Sequence, residues 1–212
     1  MHGHLLFVEI FSKENKVKLL LFTLFFLSFN LHAKTVLFLG DSLTEGYQLD
    51  KEDAFPFLIE NQLKPKYPAL KVINGGVSGA TTASGLKRLN WYVKANPDII
   101  VIALGANDGL RGMNLKESEK NLSALIEKAQ SKNIKVVLVG MKMPTNYGEP
   151  YRSQFEKLFP VLAKKYKLDL IPFLLEGIGG NPKLNLADGI HPNSEGHKIM
   201  AKTILKVLEP LL

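Results

Sequence analysis

The chain has 212 residues, of which 46% are hydrophobic and 22% are charged. This length suits one well-buried α/β domain and is too short for two ordinary ones, and the composition excludes wholesale disorder. The absence of cysteine excludes disulfides, thiolate nucleophiles and cysteine-ligated zinc. The formal charge is +7, but the positive residues are scattered without a basic stripe, so no nucleic-acid partner is expected. Solvated helix faces explain the charge most simply, and transient contact with membrane lipids is the alternative.

The N-terminal segment has the organisation of a signal peptide. Lysines at positions 13, 16 and 18 precede an apolar run at residues 19–29, and the small residue Ala33 closes the segment. This run is shorter than the roughly 20 residues that a membrane-spanning helix needs. The sequence therefore predicts a signal peptide at residues 1–33, with an uncleaved signal anchor as the alternative. The protein is expected to be secreted across the inner membrane and to be periplasmic or extracellular.

From residue 34 onward, apolar runs typical of buried strands alternate with helical stretches. Strands are predicted at residues 36–39, 70–74, 98–104, 135–140 and 168–171. Helices are predicted at residues 54–66, 81–94, 115–132, 151–166 and 194–208. Such alternation implies right-handed βαβ units and a parallel sheet covered on both faces. We expect one three-layer α/β/α domain at residues 34–212, flavodoxin-like, with a mainly five-stranded parallel sheet.

Three polar segments follow the first three predicted strands, at the sheet edge where reactive residues gather in such folds. GDSL at residues 40–43 makes Ser42 a candidate nucleophile, although Asp41 or Ser42 could equally cap the next helix. In NGGVSGAT at residues 74–81, the Gly79 N–H could donate to an oxyanion, or the segment is an ordinary turn. In GANDG at residues 105–109, the Asn107 amide is a neutral donor for a developing negative oxygen, and a simple turn is the alternative.

A fourth segment, DGIHP at residues 188–192, precedes the last helix. A serine nucleophile needs a base, and a carboxylate on the other ring nitrogen fixes the tautomer of that base. His191 and Asp188 can supply these two groups from one loop, whereas without a serine site they would be a surface histidine and a turn residue. Ser78 is a weaker candidate nucleophile, since Ala80 replaces the last glycine of a Gly-x-Ser-x-Gly elbow.

Together and in this order, the four segments resemble the SGNH or GDSL hydrolases, a family named for its Ser, Gly, Asn and His blocks. The resemblance covers about residues 34–210. It is closest to the bacterial periplasmic group of thioesterases, lysophospholipases and arylesterases, to which residues 105–112, 144–148 and 171–177 are also similar.

The resemblance implies a serine esterase that hydrolyses acyl, aryl or lysophospholipid esters, and acyl thioesters, without a metal or cofactor. It makes Ser42 the nucleophile, His191 the general base and Asp188 its orienter. The Ser42 N–H, the Gly79 N–H and the Asn107 amide would form the oxyanion hole, and Leu110, Arg111 and Met113 would line the acyl groove. Two alternatives stay open at this point: a deacetylase of O-acetylated carbohydrate, and a non-catalytic envelope binding protein.

Overall fold

The computed structural model describes residues 34–212, so the predicted signal peptide at residues 1–33 lies outside the described residues. The strands are β1 (Thr35–Gly40), β2 (Lys71–Gly76), β3 (Ile99–Ala103), β4 (Lys135–Val139) and β5 (Asp169–Ile171). The α-helices are α1 (Ser42–Glu45), α2 (Phe55–Leu63), α3 (Gly85–Tyr92), α4 (Ala106–Leu110), α5 (Leu115–Gln130), α6 (Glu149–Tyr166) and α7 (Ser194–Leu208). Within this part of the chain, no helix has the length and hydropathy needed to cross a membrane.

The five strands form one sheet in the order β2-β1-β3-β4-β5, and every neighbouring pair is parallel. The central strands β1 and β3 are buried along their whole length, as their uninterrupted apolar sequences predict. Gly40 at the end of β1 lies opposite Gly76 of β2 and Ala103 of β3. The segments that follow these three strands therefore meet at one edge of the sheet. The predicted α/β/α fold with a five-stranded parallel sheet is confirmed.

Each face of the sheet has its own hydrophobic core because successive side chains of a strand point to opposite faces. Leu37 and Leu39 of β1 pack with α3, α5 and α6 on one face. Val36 and Phe38 pack with α2 and α7 on the other. This arrangement gives the three layers of the domain.

Several predicted boundaries differ from the structure. β2 extends to Gly76 rather than ending at Asn74, because its two glycines continue the ladder beside β1. A Cβ at Gly76 would overlap the backbone of Glu45, so glycine permits this close approach. The predicted helix at residues 81–94 is α3 with a short 3₁₀ turn on each side.

The N-cap of α7 is the residue before Ser194, the first residue of the helix. Asn193 is the capping residue, and its Oδ1 accepts hydrogen bonds from the N–H groups of Glu195 and Gly196 at 3.1 Å. The Ser194 hydroxyl instead donates to Asp53 Oδ2 at 2.8 Å. Asparagine and serine are both good caps, so composition alone did not decide between adjacent positions.

A buried histidine joins the two helices that cover one face of the sheet. His197 of α7 is 1% exposed, and its Nδ1 accepts a hydrogen bond from the N–H of Phe55, the first residue of α2, at 3.1 Å. The imidazole also stacks on the Phe55 ring, with the centroids 6.0 Å apart. Burial lowers the pKa of His197 from 6.5 to about 4, so the folded state favours the neutral ring that can accept this bond.

We expect His197 to make folding sensitive to mild acid. Its pKa is lower in the folded than in the unfolded protein, so its stabilising contribution is complete above pH 6.5 and is lost as the pH falls toward 4. The loss amounts to about 3 kcal/mol of unfolding free energy. Urea unfolding of the wild type and of His197→Gln measures it, as the stability difference between them should shrink from pH 7 to pH 4. The raised pKa of Asp41 makes its own contribution to stability change with pH in the opposite direction. Asp41 is present in both proteins, so this contribution cancels from the stability difference. A pH-independent difference would contradict the assignment.

Candidate active site

Ser42 is the first residue of α1, immediately after the buried strand β1. The carboxylate of Asp41 caps this helix and accepts a hydrogen bond from the Leu43 N–H at 3.0 Å. The helix ends after one turn at Gly46, whose φ of 87° suits glycine. The N–H groups of Gly46 and Tyr47 both donate to the Ser42 carbonyl at 3.1 Å. Asp41 is therefore the capping residue, and Ser42 is left with its hydroxyl at the sheet edge.

The loop at residues 188–191 brings a histidine and a carboxylate to this serine. His191 Nε2 lies 3.0 Å from Ser42 Oγ, and His191 Nδ1 lies 2.7 Å from Asp188 Oδ2. With the ring proton on Nδ1, the histidine donates to Asp188 and accepts from the serine hydroxyl. Gly189 has a φ of 69°, so the loop turns sharply between the two side chains. The structure thus places Ser42, His191 and Asp188 in one hydrogen-bonded chain.

The two carboxylates near Ser42 have opposite electrostatic environments. Hydrogen bonds from the backbone and side chain of His191, and from the Ile190 N–H, lower the pKa of Asp188 to about 2. Asp188 is therefore an anion at neutral pH and can hold the Nδ1 proton. Burial raises the pKa of Asp41 to about 6, although the Leu43 N–H opposes this shift. Asp41 therefore takes up a proton more readily than an ordinary aspartate, whereas its capping bond from the Leu43 N–H favours the ionised form.

The aromatic ring of Tyr47 packs against the His191 imidazole. The two ring centroids are 4.5 Å apart and the planes are inclined by 37°. Tyr47 follows the helix that carries Ser42, so one local segment contacts the histidine through both the Ser42 hydroxyl and the Tyr47 ring. The imidazole of His191 is thus held by a ring contact with Tyr47 as well as by its hydrogen bond with Asp188.

The predicted oxyanion donors lie on three segments, namely that of Ser42 and the two neighbouring ones that carry Gly79 and Asn107. One N–H of the Asn107 amide donates to the Ala80 carbonyl at 3.1 Å, which leaves its second N–H available. Gly79 adopts a φ of 75°, and within residues 34–212 no protein group accepts a hydrogen bond from its N–H. The Ser42 N–H is one of the unpaired donors at a helix N-terminus. The chain therefore carries unused donors on all three segments.

A cavity of about 700 Å³ opens beside Ser42 and Asn107. Its apolar lining comprises Leu43, Ala106, Leu110, Met141, Met143, Pro144, Phe173, Leu175 and Ile190. Of the three residues predicted for an acyl groove, Leu110 lines this cavity, whereas Arg111 and Met113 are not among its lining residues. Arg111 instead donates to the Gly79 carbonyl at 3.0 Å. The segment between β4 and α6 supplies much of the wall that the sequence had not assigned.

No cluster of three or more histidine, aspartate or glutamate side chains within residues 34–212 could hold a metal ion.

Three residues around the candidate site were not identified from the sequence, namely Glu45, Tyr47 and Asp108. Asp108 belonged to a segment in which only Asn107 was singled out, and Glu45 and Tyr47 followed the GDSL block without a recognisable pattern. Their contacts are between segments far apart in the chain, so only the fold reveals them.

Known proteins are similar to this chain in sequence over most of its length. Residues 38–199 match the model of the GDSL-like Lipase/Acylhydrolase family. The esterase TesA of Pseudomonas aeruginosa is 36% identical over 85% of this chain and 90% of its own length. An arylesterase of Vibrio mimicus is 37% identical over 83% of this chain and 88% of its own length.

Solved structures of esterases are similar as well. The crystal structure of TesA superposes with a TM-score of 0.81 at 36% identity, covering 84% of this chain and 100% of that one. The esterase EstA of Pseudoalteromonas, inhibited by monoethylphosphonate, gives a TM-score of 0.79 at 30% identity, covering 84% and 98%. The chain therefore belongs to the GDSL-like lipase and acylhydrolase family.

Proposed function

We propose that the protein hydrolyses carboxylic esters through an acyl-serine intermediate on Ser42. Membership of the family makes it a carboxylic ester hydrolase. The observation that carries the mechanism is the hydrogen-bonded chain from Ser42 Oγ through His191 to Asp188, with distances of 3.0 and 2.7 Å. A serine hydroxyl is a weak nucleophile until an adjacent base accepts its proton, and this geometry supports His191 as that base.

In the first half of the reaction, Ser42 Oγ attacks the ester carbonyl and its proton passes to His191 Nε2. The carbonyl oxygen becomes an oxyanion, which the Ser42 N–H, the Gly79 N–H and the free N–H of the Asn107 amide would bind. Asp188 stabilises the imidazolium through Nδ1. The carbonyl then re-forms, the bond to the leaving oxygen breaks, and Nε2 returns the proton to the departing alcohol.

In the second half, water replaces the alcohol. His191 Nε2 accepts a proton from the water as its oxygen attacks the acyl carbon, and the same three donors bind the second oxyanion. The bond to Ser42 Oγ breaks, the proton moves from Nε2 to that oxygen, and a carboxylic acid is released. A thioester follows the same sequence with a thiol as the leaving group.

The cavity supports substrates with an acyl chain longer than acetyl. Its volume of about 700 Å³ and its apolar lining suit an alkyl chain bound next to Ser42. Relatives are named as an esterase, as an arylesterase and, in Escherichia coli, as a thioesterase, protease and lysophospholipase. We therefore infer acyl and aryl esters, lysophospholipids and acyl thioesters as substrates. Rates on p-nitrophenyl esters should rise from acetyl to longer chains, whereas activity on acetyl esters alone would favour a carbohydrate deacetylase.

We also propose that residues 1–33 direct export to the periplasm or the exterior of the cell. The support is the lysine-rich start, the short apolar run and the small residue Ala33 in the sequence.

Labelling with a fluorophosphonate probe tests the proposed nucleophile directly. Such a probe forms a stable phosphonyl adduct with an activated serine, and the similar Pseudoalteromonas esterase is inhibited by monoethylphosphonate. We expect one adduct on the wild type, located at Ser42 by peptide mass spectrometry, and none on Ser42→Ala. Ser78→Ala, which removes the rival serine, should still acquire the adduct on Ser42. An unlabelled folded wild type, or labelling that survives Ser42→Ala, would overturn the proposal.

A further inference from the structure

The loop that carries Gly79, residues 77–82, is held at four positions by side chains from other segments. We call these residues the Gly79 loop. Four of these side chains come from the segments of Ser42 and Asn107, which bear the other two proposed oxyanion donors, and Asn121 of α5 also donates to the Thr82 hydroxyl. The contacts are Glu45 to Ser78, Arg111 to the Gly79 carbonyl, Asn107 to the Ala80 carbonyl and Asp108 to Thr82. The three donors are thus linked to one another by side chains.

Glu45 holds the start of the Gly79 loop. Its Oε2 accepts a hydrogen bond from the Ser78 N–H at 2.8 Å and a second from the Ser78 hydroxyl. Glu45 is the last residue of α1, the helix that begins with Ser42, so this carboxylate ties the residue before Gly79 to the nucleophile's own helix. Charged acceptors make stronger hydrogen bonds than neutral ones.

Asp108 holds the end of the same loop from inside the protein. This carboxylate is 1% exposed, and it accepts hydrogen bonds from the Thr82 N–H at 2.9 Å and from the Thr82 hydroxyl at 2.5 Å. The Ser118 hydroxyl on α5 donates to it at 2.9 Å. Asp108 is the neighbour of Asn107 on α4, so a shift of the Gly79 loop away from Asn107 would remove both Thr82 donors from this buried carboxylate and leave it only the Ser118 hydroxyl of these three donors.

We propose that Asp108 and Glu45 are positioning residues that fix the Gly79 N–H relative to Ser42 and to the Asn107 amide. This inference rests on the proposed oxyanion hole, because it concerns the contacts that keep the donors of that hole in position. Neither carboxylate lines the cavity beside Ser42. A donor aligned in advance stabilises the transition state without reorganisation, and a misplacement of about 1 Å can cost about 100-fold in rate.

The test measures kcat, KM and the affinity of an alkyl boronic acid, which forms a tetrahedral adduct with an activated serine. In Asp108→Ala we expect kcat to fall by about 100-fold with little change in KM. Boronate affinity should fall in parallel, because the adduct places an oxygen in the hole. Asp108→Asn can still accept from the Thr82 N–H and should recover most of the loss. Glu45→Ala should lose about 10-fold, less than Asp108→Ala, because Glu45 is exposed and water can replace it.

A control separates positioning from stability. Ile59→Ala creates a cavity in the core between α2 and α7, on the opposite face of the sheet from the α3–α5–α6 core, and should lower stability without lowering kcat of the folded enzyme. If Asp108→Ala fails to fold, Thr82→Val serves the same comparison, because it keeps the bond from the Thr82 N–H and removes the hydroxyl, which donates to Asp108 and accepts from Asn121. Normal kcat and boronate affinity in folded Asp108→Ala or Thr82→Val would overturn the inference. A wild type that binds neither boronate nor fluorophosphonate would instead overturn the proposed function.

Discussion

Replacing His191 by alanine is expected to lower kcat by about 10,000-fold or more, with a much smaller effect on KM. The imidazole Nε2 lies 3.0 Å from Ser42 Oγ, and in the proposed mechanism it takes the serine proton and then protonates the leaving group. Without it, the hydroxyl stays protonated at neutral pH and the leaving alcohol departs unaided. Steady-state hydrolysis of a p-nitrophenyl ester measures the loss, and circular dichroism verifies that the variant is folded.

The double variant Ser42→Ala with His191→Ala sharpens this result. Residues that act as a unit give non-additive losses, so the double variant should be about as slow as the single Ser42→Ala. Multiplied losses would mean that the two residues act independently, contrary to the proposed proton transfer. His197→Ala is a useful comparison, since this histidine is buried in the helical layer and contacts Phe55 rather than the serine.

Replacing Asn107 by alanine is expected to lower kcat by about 100-fold to 1,000-fold. The side-chain amide supplies one of three proposed donors to the oxyanion, and that charge develops only in the transition state. The loss should therefore appear in kcat rather than in KM. Boronate affinity should fall with kcat, because the tetrahedral adduct loses the same donor.

The Asn107 amide also makes a structural hydrogen bond, so a second variant is needed to separate its two roles. Asn107 also donates to the Ala80 carbonyl, so its removal both deletes a donor and frees one contact of the Gly79 loop. Arg111→Met removes a different contact of that loop, the bond to the Gly79 carbonyl, and leaves the amide in place. We expect the loss in Arg111→Met to be far smaller. Near-normal turnover of Asn107→Ala would contradict the oxyanion role.

The fold could be predicted from sequence because its signals are local and repeated. The uninterrupted apolar run of β1 and the similar run of β3 can be buried on both faces only in a sheet covered by helices, which is the arrangement observed. Boundaries were less accurate where backbone pairing decided them. β2 continues through Gly75 and Gly76 although glycine is unfavourable in strands, because the neighbouring β1 pairs with both.

The chemical groups of the candidate site were also visible in the sequence, since each follows a predicted strand or precedes the last helix within a few residues. The contacts that hold these groups were not. Asp108 bonds to Thr82, which lies 26 positions away, and Glu45 bonds to Ser78 over 33 positions. No periodicity or spacing in one sequence indicates such pairs. The same reason explains why the cavity wall from residues 141–145 was not foreseen, although Leu110, which the sequence did single out, lines the same cavity.

The loop that contains Asp188 and His191 is closed by hydrogen bonds between its own residues. A bridge between Asn185 and Pro192 closes it, and the Leu186 N–H donates to the His191 carbonyl at 2.7 Å. The cavity walls come largely from other segments, including residues 141–145. Substitutions in those walls can therefore alter which acyl chain fits while leaving the proton-transfer pair undisturbed. Such a division of labour lets substrate range diverge among descendants by changes in one part of the chain, and the two parts meet where the loop residues Asn185, Gly189, Ile190 and His191 also line the cavity.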